Sequence, residues 1–213
     1  MLDRKFSDDL FNIYFGELEG LNLTAIRDPD DFYQKQVLDS IYPYEQSDIF
    51  RGSIGAHEYY LDVGFGGGFP LLPLAALLKD KRCLGIDSKK KKAEAVKLIA
   101  DRMGLTNVFP YHSRIEDVLI NKPTCISLKA VGRIWDMLEL MNYSAPIEVF
   151  FYKGPSVYEL ESMDFGKVEK KWTKIEEKEI LVPGTDKRIL LGYKSKNVPR
   201  GTAKYLVKLS DIH

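Results

Sequence analysis

The chain has 213 residues, 45% of them hydrophobic, and its 31 Lys and Arg balance 31 Asp and Glu. This length supports one sizeable core, and with no apolar run of about 18 to 20 residues it predicts neither a membrane span nor a secretory signal. Cys83 and Cys125 lack metal-ligand spacing and His57, His112 and His213 are scattered, so we expect a cytoplasmic protein with reduced thiols and no metal site.

The charge is unevenly distributed. The first sixty residues contain twelve acidic and five basic residues, a net charge of −7, so the rest of the chain carries +7. Near the end, Asp211 is the one acid among five basic residues: Lys194, Lys196, Arg200, Lys204 and Lys208. Such asymmetry favours a basic face for a polyanion, with an ordinary solvated surface as the alternative.

Helical and strand patterns alternate along the chain. Residues 1–55 read as helices, with apolar positions at Leu10, Phe11, Tyr14, Phe15 and Leu18. The first predicted strand ends at Gly64, and later strands are predicted at 82–87, 107–113, 125–131 and 148–154. Helices are predicted at 69–78, 89–104 and 133–141. A hairpin is predicted with arms at 167–182 and 186–195.

This alternation predicts an α/β protein in which parallel βαβ units form a three-layer sandwich. Ligands of such sheets bind at the carboxyl ends of the strands, near the point where the strand order reverses. We expect three regions: an N-terminal helical region (1–55) packed on the core, the core itself (56–195) and a basic C-terminal extension (196–213).

The stretch LDVGFGGGFP (61–70) joins the first strand to a glycine-dense turn. It lacks the third glycine of a dinucleotide fingerprint, where Phe69 stands, and no Gly-Lys-Ser/Thr of a P-loop follows. Asp62 precedes the first glycine by two residues, and Asp87 ends the next strand. The carboxylate of Asp87 can accept two ribose hydroxyls at roughly 1.5–3 kcal/mol each. With acids and no phosphate-binding device, S-adenosylmethionine fits better than NAD.

The turn resembles motif I of class I S-adenosylmethionine-dependent methyltransferases, whose fold implies a mostly parallel seven-stranded sheet with a C-terminal antiparallel hairpin. Further blocks resemble the RsmG (GidB) family and recur in its order. They are NLTAIRDPDDFYQKQVLDSI (22–41), DVGFGGGFPLLPLA (62–75), IDSKKKK (86–92), SRIED (113–117), KAV (129–131) and YKG (152–154). The resemblance implies methylation of guanine N7 at guanosine 527, in the 530 loop of 16S rRNA.

The resemblance also implies a set of cofactor contacts. They fall on Gly64, Phe69, Ile115, Glu116 and Lys129, with Asp87 as the acid for the ribose. From the turn itself we add Asp62, Gly66 and Gly68 to the expected cofactor site. Two positions depart from the family pattern, because Lys129 replaces an arginine and Gln36 a histidine. Asn22, Thr24, Arg27, Asp39 and Ser40 are expected to be substrate-side or structural.

The implied chemistry agrees with the absence of an evident catalytic acid or base. Guanine N7 has a free lone pair and no proton, so alignment and electrostatics suffice. Lys129, Arg114 and Lys153 are the candidates for positioning. Cys125 lies at the far end of its strand and is interpreted as core rather than as a nucleophile.

RNA contacts are expected from basic residues around the site. The candidates are Arg27, Lys89, Lys90, Lys91, Lys92, Arg133 and Arg188. Phe65, Phe69 and Tyr152 are the aromatic residues near the site, and we expect Phe69 to pack on the cofactor. The partner would be 16S rRNA or the 30S subunit, with no membrane and a monomeric enzyme. A methyltransferase for another RNA or a small molecule, and a non-catalytic ribosome-assembly factor, remain alternatives.

Overall fold

The computed structural model describes residues 2–197 and 206–213, so Arg200 and Lys204 lie outside the described residues. The α-helices are α1 (Arg4–Asn12), α2 (Pro29–Phe32), α3 (Asp39–Gln46), α4 (Asp48–Ala56), α5 (Leu71–Leu77), α6 (Lys90–Arg102), α7 (Ile134–Glu139), α8 (Val157–Leu160) and α9 (Ser162–Lys171). The strands are β1 (Tyr59–Val63), β2 (Arg82–Asp87), β3 (Val108–His112), β4 (Val118–Ile120), β5 (Thr124–Lys129), β6 (Asn142–Tyr143), β7 (Ile147–Lys153), β8 (Trp172–Ile180), β9 (Arg188–Ser195) and β10 (Val207–Lys208).

A seven-stranded sheet forms the centre of the molecule, in the order β3-β2-β1-β5-β7-β9-β8. The first five of these strands are parallel, and β9 runs antiparallel to both β7 and β8. The strand order reverses between β1 and β5, since β2 lies on the other side of β1. The predicted mostly parallel sheet with a C-terminal antiparallel hairpin is therefore confirmed.

Two apolar cores cover the two faces of this sheet. Successive residues of a strand point to opposite faces, so Tyr60 packs in one core and Leu61 in the other. The first core takes α5, α6 and the N-terminal helices, and the second takes α7, α9 and Leu209 of the C-terminal segment. Each large side chain buried in this way stabilises the fold by roughly 1.5–3 kcal/mol. Cys125 is wholly buried in the first core, which confirms its interpretation as a core residue.

The N-terminal helices share the first core with the sheet. Leu10, Tyr14 and Leu18 are buried there as predicted, whereas Phe11 and Phe15 are half-buried at its edge. The Tyr14 hydroxyl donates a hydrogen bond to the Gly67 carbonyl. This contact joins the helical region directly to the glycine turn that follows β1.

The predicted hairpin begins later than expected. Residues 167–171 complete α9, and β8 starts only at Trp172. Val168 is buried one helical turn after the buried Asp164, and the Trp172 amide donates to the Val168 carbonyl to close the helix. The helical spacing of buried positions outweighs the strand propensity of this segment.

A second, three-stranded parallel sheet was not predicted. Its order is β10-β4-β6, and its strands are only two or three residues long. Within the described part of the C-terminal extension, Leu209 and Ile212 are buried against the second core. The described helices include none long and apolar enough to cross a membrane.

Candidate active site

Two adjoining cavities lie at the carboxyl ends of β1 and β5, and Gly64 lines both of them. The first, which we call the β3-side cavity, measures about 220 Å³, and its lining includes Ile86, Ser88, Arg114, Ile115, Glu116 and Met137. The second, the helix-side cavity, measures about 410 Å³, and its lining includes Thr24, Gln36, Gly66, Phe69, Lys92 and Lys129. Both cavities sit where the strand order reverses, the expected ligand position in such a sheet.

The turn needs glycine for two reasons, which are its left-handed backbone angles and the close approach of another segment of the chain. Gly64 and Gly66 have positive φ angles of 74° and 57°, which a side chain would strain. At Gly67, a Cβ would stand 2.7 Å from the carbonyl oxygen of Leu23, so the protein's own N-terminal segment needs this close approach. Gly68 likewise faces inward against Leu72 and lines neither cavity. At Gly66, which lines the helix-side cavity, an added Cβ would meet only ordinary van der Waals contacts.

Asp62 is a wholly buried carboxylate that faces the protein interior. Its two oxygens accept from the Leu71 amide at 2.9 Å and the Ser127 hydroxyl at 3.3 Å. Because α5 starts after Pro70 without a side-chain cap, Asp62 satisfies an amide that the helix leaves free. Burial raises the pKa of Asp62 to about 7, although both hydrogen bonds favour its ionised form. Asp62 lines neither cavity, and its expected contact with the cofactor stays a prediction.

Asp87 ends β2 beneath the turn. One carboxylate oxygen accepts from the Gly66 amide at 2.9 Å, and the other accepts from the Lys89 amide at 2.8 Å. A carboxylate has about four acceptor positions, so two remain for further donors. Asp87 therefore fixes the turn from its position between Ile86 and Ser88, which line the β3-side cavity, and keeps capacity for a further donor.

Ile115 and Glu116 lie together on the β3-side cavity, as expected from the resemblance. They belong to the short 3-10 helix Ile115–Asp117, and the Glu116 carbonyl is held by the Asn142 side chain at 2.8 Å. Ile115 is buried, whereas Glu116 is half-buried with its carboxylate 3.4 Å from Arg114. An apolar wall beside a partly exposed carboxylate suits an aromatic heterocycle with a hydrogen-bond donor.

Lys129 reaches the helix-side cavity from the end of β5. Its ammonium lies 2.8 Å from Asp39, and the second oxygen of Asp39 lies 2.8 Å from Arg188. Burial lowers the pKa of Lys129, while Asp39 acts in the opposite direction. Asp39 is 2% exposed, so the three side chains form a buried cluster that joins α3, β5 and β9. Arg188 is half-buried and ion-paired with Asp39, and its contact with RNA stays a prediction.

Two further basic candidates are ion-paired with acidic side chains of the protein: Lys153 is half-buried, whereas Arg133 is 51% exposed. Lys153 lies 2.8 Å from the buried Glu161 and donates to the Gly132 carbonyl at 2.7 Å. Arg133 lies 2.7 Å from Asp164. Neither residue lines the two cavities, so these side chains brace the loop after β5 rather than projecting into the site.

The lysines at the start of α6 divide into two groups. Lys89, Lys90 and Lys91 are exposed, whereas Lys92 is half-buried and lines the helix-side cavity. Arg27 is exposed and lies 3.5 Å from Glu19. It directly follows Ile26, which lines the same cavity. These residues present positive charge around the site.

The three aromatic candidates are all buried. Phe65 packs against Gly85, and the Tyr152 hydroxyl donates to the Ser40 carbonyl at 3.3 Å. Phe69 touches Tyr14 and Phe32 in an aromatic cluster while it lines the helix-side cavity. Phe65 lines the same cavity, so two of the three rings lie between the helix-side cavity and the first core.

Several residues that line the two cavities were not predicted from the sequence. Ser88 and Ser113 each follow the end of a strand directly, so the strand-end rule was a usable signal for them. Val131 and Met137 line the β3-side cavity from the loop after β5 and from α7, and their apolar character resembles ordinary core. Gln36 stands where the family pattern has histidine. Its side-chain amide donates to the Thr24 hydroxyl at 3.2 Å, and both residues line the helix-side cavity.

The fold resembles solved methyltransferases over nearly its whole length. A SAM dependent methyltransferase from Aquifex aeolicus superposes with a TM-score of 0.51 at 16% identity, and magnesium protoporphyrin IX methyltransferase from Synechocystis PCC 6803 with a TM-score of 0.57 at 12% identity. In both cases the match covers 92% of this chain and 98% of the other. These likenesses show that the chain has the fold of class I methyltransferases.

Sequence relatives specify the family. The family model described as GidB, rRNA small subunit methyltransferase G, matches residues 12–188. The Ribosomal RNA small subunit methyltransferase G of Petrotoga mobilis is 33% identical over 168 residues, 75% of this chain and 72% of the relative. That of Streptococcus sanguinis is 35% identical over 142 residues, which cover 62% of this chain and 58% of the relative. The chain belongs to the GidB family of rRNA small subunit methyltransferases.

Proposed function

We propose that this protein transfers a methyl group from S-adenosylmethionine to N7 of a guanine in the 530 loop of 16S rRNA, guanosine 527. It would act as a cytoplasmic monomer on the rRNA or the 30S subunit. The observation that carries the proposal is the pair of cavities that meet at Gly64, with Asp87 beneath the turn and Lys129 in the second cavity. Family membership supports the rRNA substrate.

The β3-side cavity suits the nucleoside part of S-adenosylmethionine. Ile86, Ile115 and Met137 form apolar walls for a purine ring, and Glu116 offers an acceptor at its edge. Asp87 is held by two backbone amides and has acceptor capacity left for ribose hydroxyls. The residues present therefore fit the cofactor.

The helix-side cavity suits the methyl-transfer end of the reaction. When bound, S-adenosylmethionine supplies the methyl group as an electrophile on a sulfonium. Gly64 and Phe69 border the passage in which the acceptor atom must align, and Lys129 lies at its far wall. The acceptor N7 needs no base, so these residues have to orient the guanine and exclude water rather than remove a proton.

The Asp39 cluster supports this orienting role. Asp39 fixes the ammonium of Lys129 at 2.8 Å, so the donor has a defined position in the cavity. Guanine O6 is an acceptor next to N7, and a fixed ammonium can hold it. In the proposal, Lys129 therefore positions the base. Arg114 lies at the edge of the β3-side cavity, and Lys153 holds the loop after β5 in place. Asp62 and Gly68 support the turn from inside.

The exposed basic residues supply the RNA contact. Lys89, Lys90, Lys91 and Arg27 surround the site and would neutralise phosphates around the target loop. In the same proposal, residues 1–55 form the substrate-side wall, 56–195 the cofactor-binding core, and 196–213 a basic extension.

The direct test is methyl transfer. We would incubate the protein with methyl-labelled S-adenosylmethionine and 30S subunits from a strain that lacks this modification, with naked 16S rRNA in parallel. Label on guanine N7 in the 530 loop is expected. Label elsewhere would contradict the substrate assignment, and cofactor binding without any label would favour a non-catalytic assembly factor.

A second test concerns Asp87. We expect Asp87→Ala to weaken binding of S-adenosylhomocysteine at least tenfold by calorimetry, because it removes the acceptor for the ribose hydroxyls, at roughly 1.5–3 kcal/mol each. Asp101→Ala, an exposed position in α6, is the control and should leave the affinity unchanged. Unchanged affinity in Asp87→Ala would remove this residue from the cofactor site.

A further inference from the structure

Two ammonium groups line the helix-side cavity, and their surroundings differ. Lys129 is ion-paired with Asp39, a carboxylate that it shares with Arg188. Among residues 2–197 and 206–213, the side chain of Lys92 has neither an ion-pair nor a hydrogen-bond partner. The cavity therefore contains one satisfied cation and one unsatisfied cation.

The position of Lys92 is unfavourable without a ligand. The residue is half-buried in the first turn of the thirteen-residue α6, where the helix dipole opposes positive charge. Partial removal of an ammonium from water also costs free energy when no acceptor replaces the water. Its neighbours Lys90 and Lys91 are exposed and avoid this cost. An anionic ligand group in the cavity would compensate Lys92.

The geometry also defines where that anion lies. The Lys92 ammonium would stand 3.5 Å from a Cβ placed on Gly66, so it lies directly beside the glycine turn. On the other side, the Gly66 amide is held by Asp87, the acid proposed for the ribose. A ligand whose ribose sits at Asp87 and which continues along the turn brings its next segment to Lys92.

We infer that Lys92 binds the carboxylate of the methionine part of the cofactor. The inference rests on the proposed function, and it changes the expected role of Lys92 from an RNA contact to a cofactor contact. The carboxylate is the anionic group of S-adenosylmethionine, and a charged hydrogen bond from an ammonium is among the stronger kinds. An rRNA phosphate fits less well, because Lys92 lies inside the cavity while Lys89, Lys90 and Lys91 project from the surface.

The test compares two ligands by calorimetry. S-adenosylhomocysteine has the carboxylate, whereas 5′-methylthioadenosine has the same nucleoside without the amino-acid part. We expect Lys92→Gln to weaken S-adenosylhomocysteine binding about tenfold, the scale of one charged hydrogen bond, and to leave 5′-methylthioadenosine binding unchanged. Lys92→Arg should retain most of the affinity, and Lys97→Gln, at an exposed position of the same helix, should match the unaltered protein.

Each other outcome is decisive. An equal loss for both ligands would indicate a general disturbance of the turn and overturn the inference. Another outcome would be that Lys92→Gln leaves S-adenosylhomocysteine binding unchanged but weakens the salt dependence of binding to a 530-loop RNA. If the slope of log affinity against log salt concentration became smaller by about one unit, Lys92 would be assigned to a phosphate contact instead. If the unaltered protein bound neither ligand, the proposed function itself would fail. If it bound both and Lys92→Gln behaved identically, the inference alone would fail.

Discussion

Asp39 offers the sharpest test of how the site is held together. It is 2% exposed and bridges Lys129 and Arg188, whose side chains are 14% and 28% exposed. Asp39→Asn leaves two cations facing each other, and loss of one partner of a buried pair costs about 3–5 kcal/mol. Arg188 can turn toward solvent, and burial already lowers the pKa of Lys129. We therefore expect the lower end, about 3 kcal/mol.

Urea unfolding measures this loss. With a denaturant slope of about 3 kcal/mol/M, the midpoint of Asp39→Asn should fall by about 1 M. The matched control is Asp8→Asn, since Asp8 pairs with Arg4 at 2.9 Å and both side chains are about half exposed. Such an exposed pair should change stability by less than about 1 kcal/mol. Equal midpoints for the two variants would refute the argument.

A double variant tests whether charge is the cause. Asp39→Asn combined with Lys129→Met removes both charges of the Asp39–Lys129 pair, and such a replacement is often close to neutral. We expect it to recover a large part of the stability lost in Asp39→Asn. If the two losses simply add, packing rather than unpaired charge would explain the effect.

Two further predictions concern the turn. Because the pKa of Asp62 is about 7 in the folded protein and ordinarily 3.8, its contribution to stability is present below pH 4 and lost as the pH rises to about 7. The free energy of unfolding of Asp62→Asn relative to the unaltered protein should therefore rise by about 2–4 kcal/mol over that interval, and a pH-independent difference would contradict the raised pKa. Gly67→Ala should destabilise the protein by about 1–3 kcal/mol, because its Cβ would meet the Leu23 carbonyl. Gly52→Ala, in open space within α4, should instead stabilise it by about 0.5–1 kcal/mol in the same thermal unfolding assay.

Local patterns were sufficient to predict the main elements of the sheet. The run RCLGID coincides with β2, because a short apolar segment bounded by charged residues fits a buried strand. Because ligands of such sheets bind at the carboxyl ends of the strands, the predicted strands also placed Gly64, Asp87 and Glu116 at one edge of the sheet. The second sheet was not predictable in this way, since β4, β6 and β10 are too short for periodicity and are held by non-local pairing.

The roles of charged side chains were harder to predict than their positions. Asp62 stands beside the turn as expected, yet it serves the amide of Leu71, because Pro70 gives α5 no side-chain cap. Arg188 looked like a surface cation, but its partner Asp39 is 149 positions away in the chain. Such pairs follow from tertiary packing, so single-sequence reasoning has no signal for them.

The contact between the N-terminal helices and the glycine turn has a thermodynamic consequence. Tyr14 and the Leu23 carbonyl both meet Gly67, and Thr24 and Gln36 complete the same cavity wall. A ligand bound in the helix-side cavity stabilises the folded protein by about 2.7 kcal/mol at a concentration of one hundred times Kd. The N-terminal helices share this stabilisation, because they form part of the cavity wall although they lie far from the glycine turn in sequence. Amide hydrogen exchange of the first forty residues would then slow on ligand binding, which makes the N-terminal helices a built-in reporter of site occupancy.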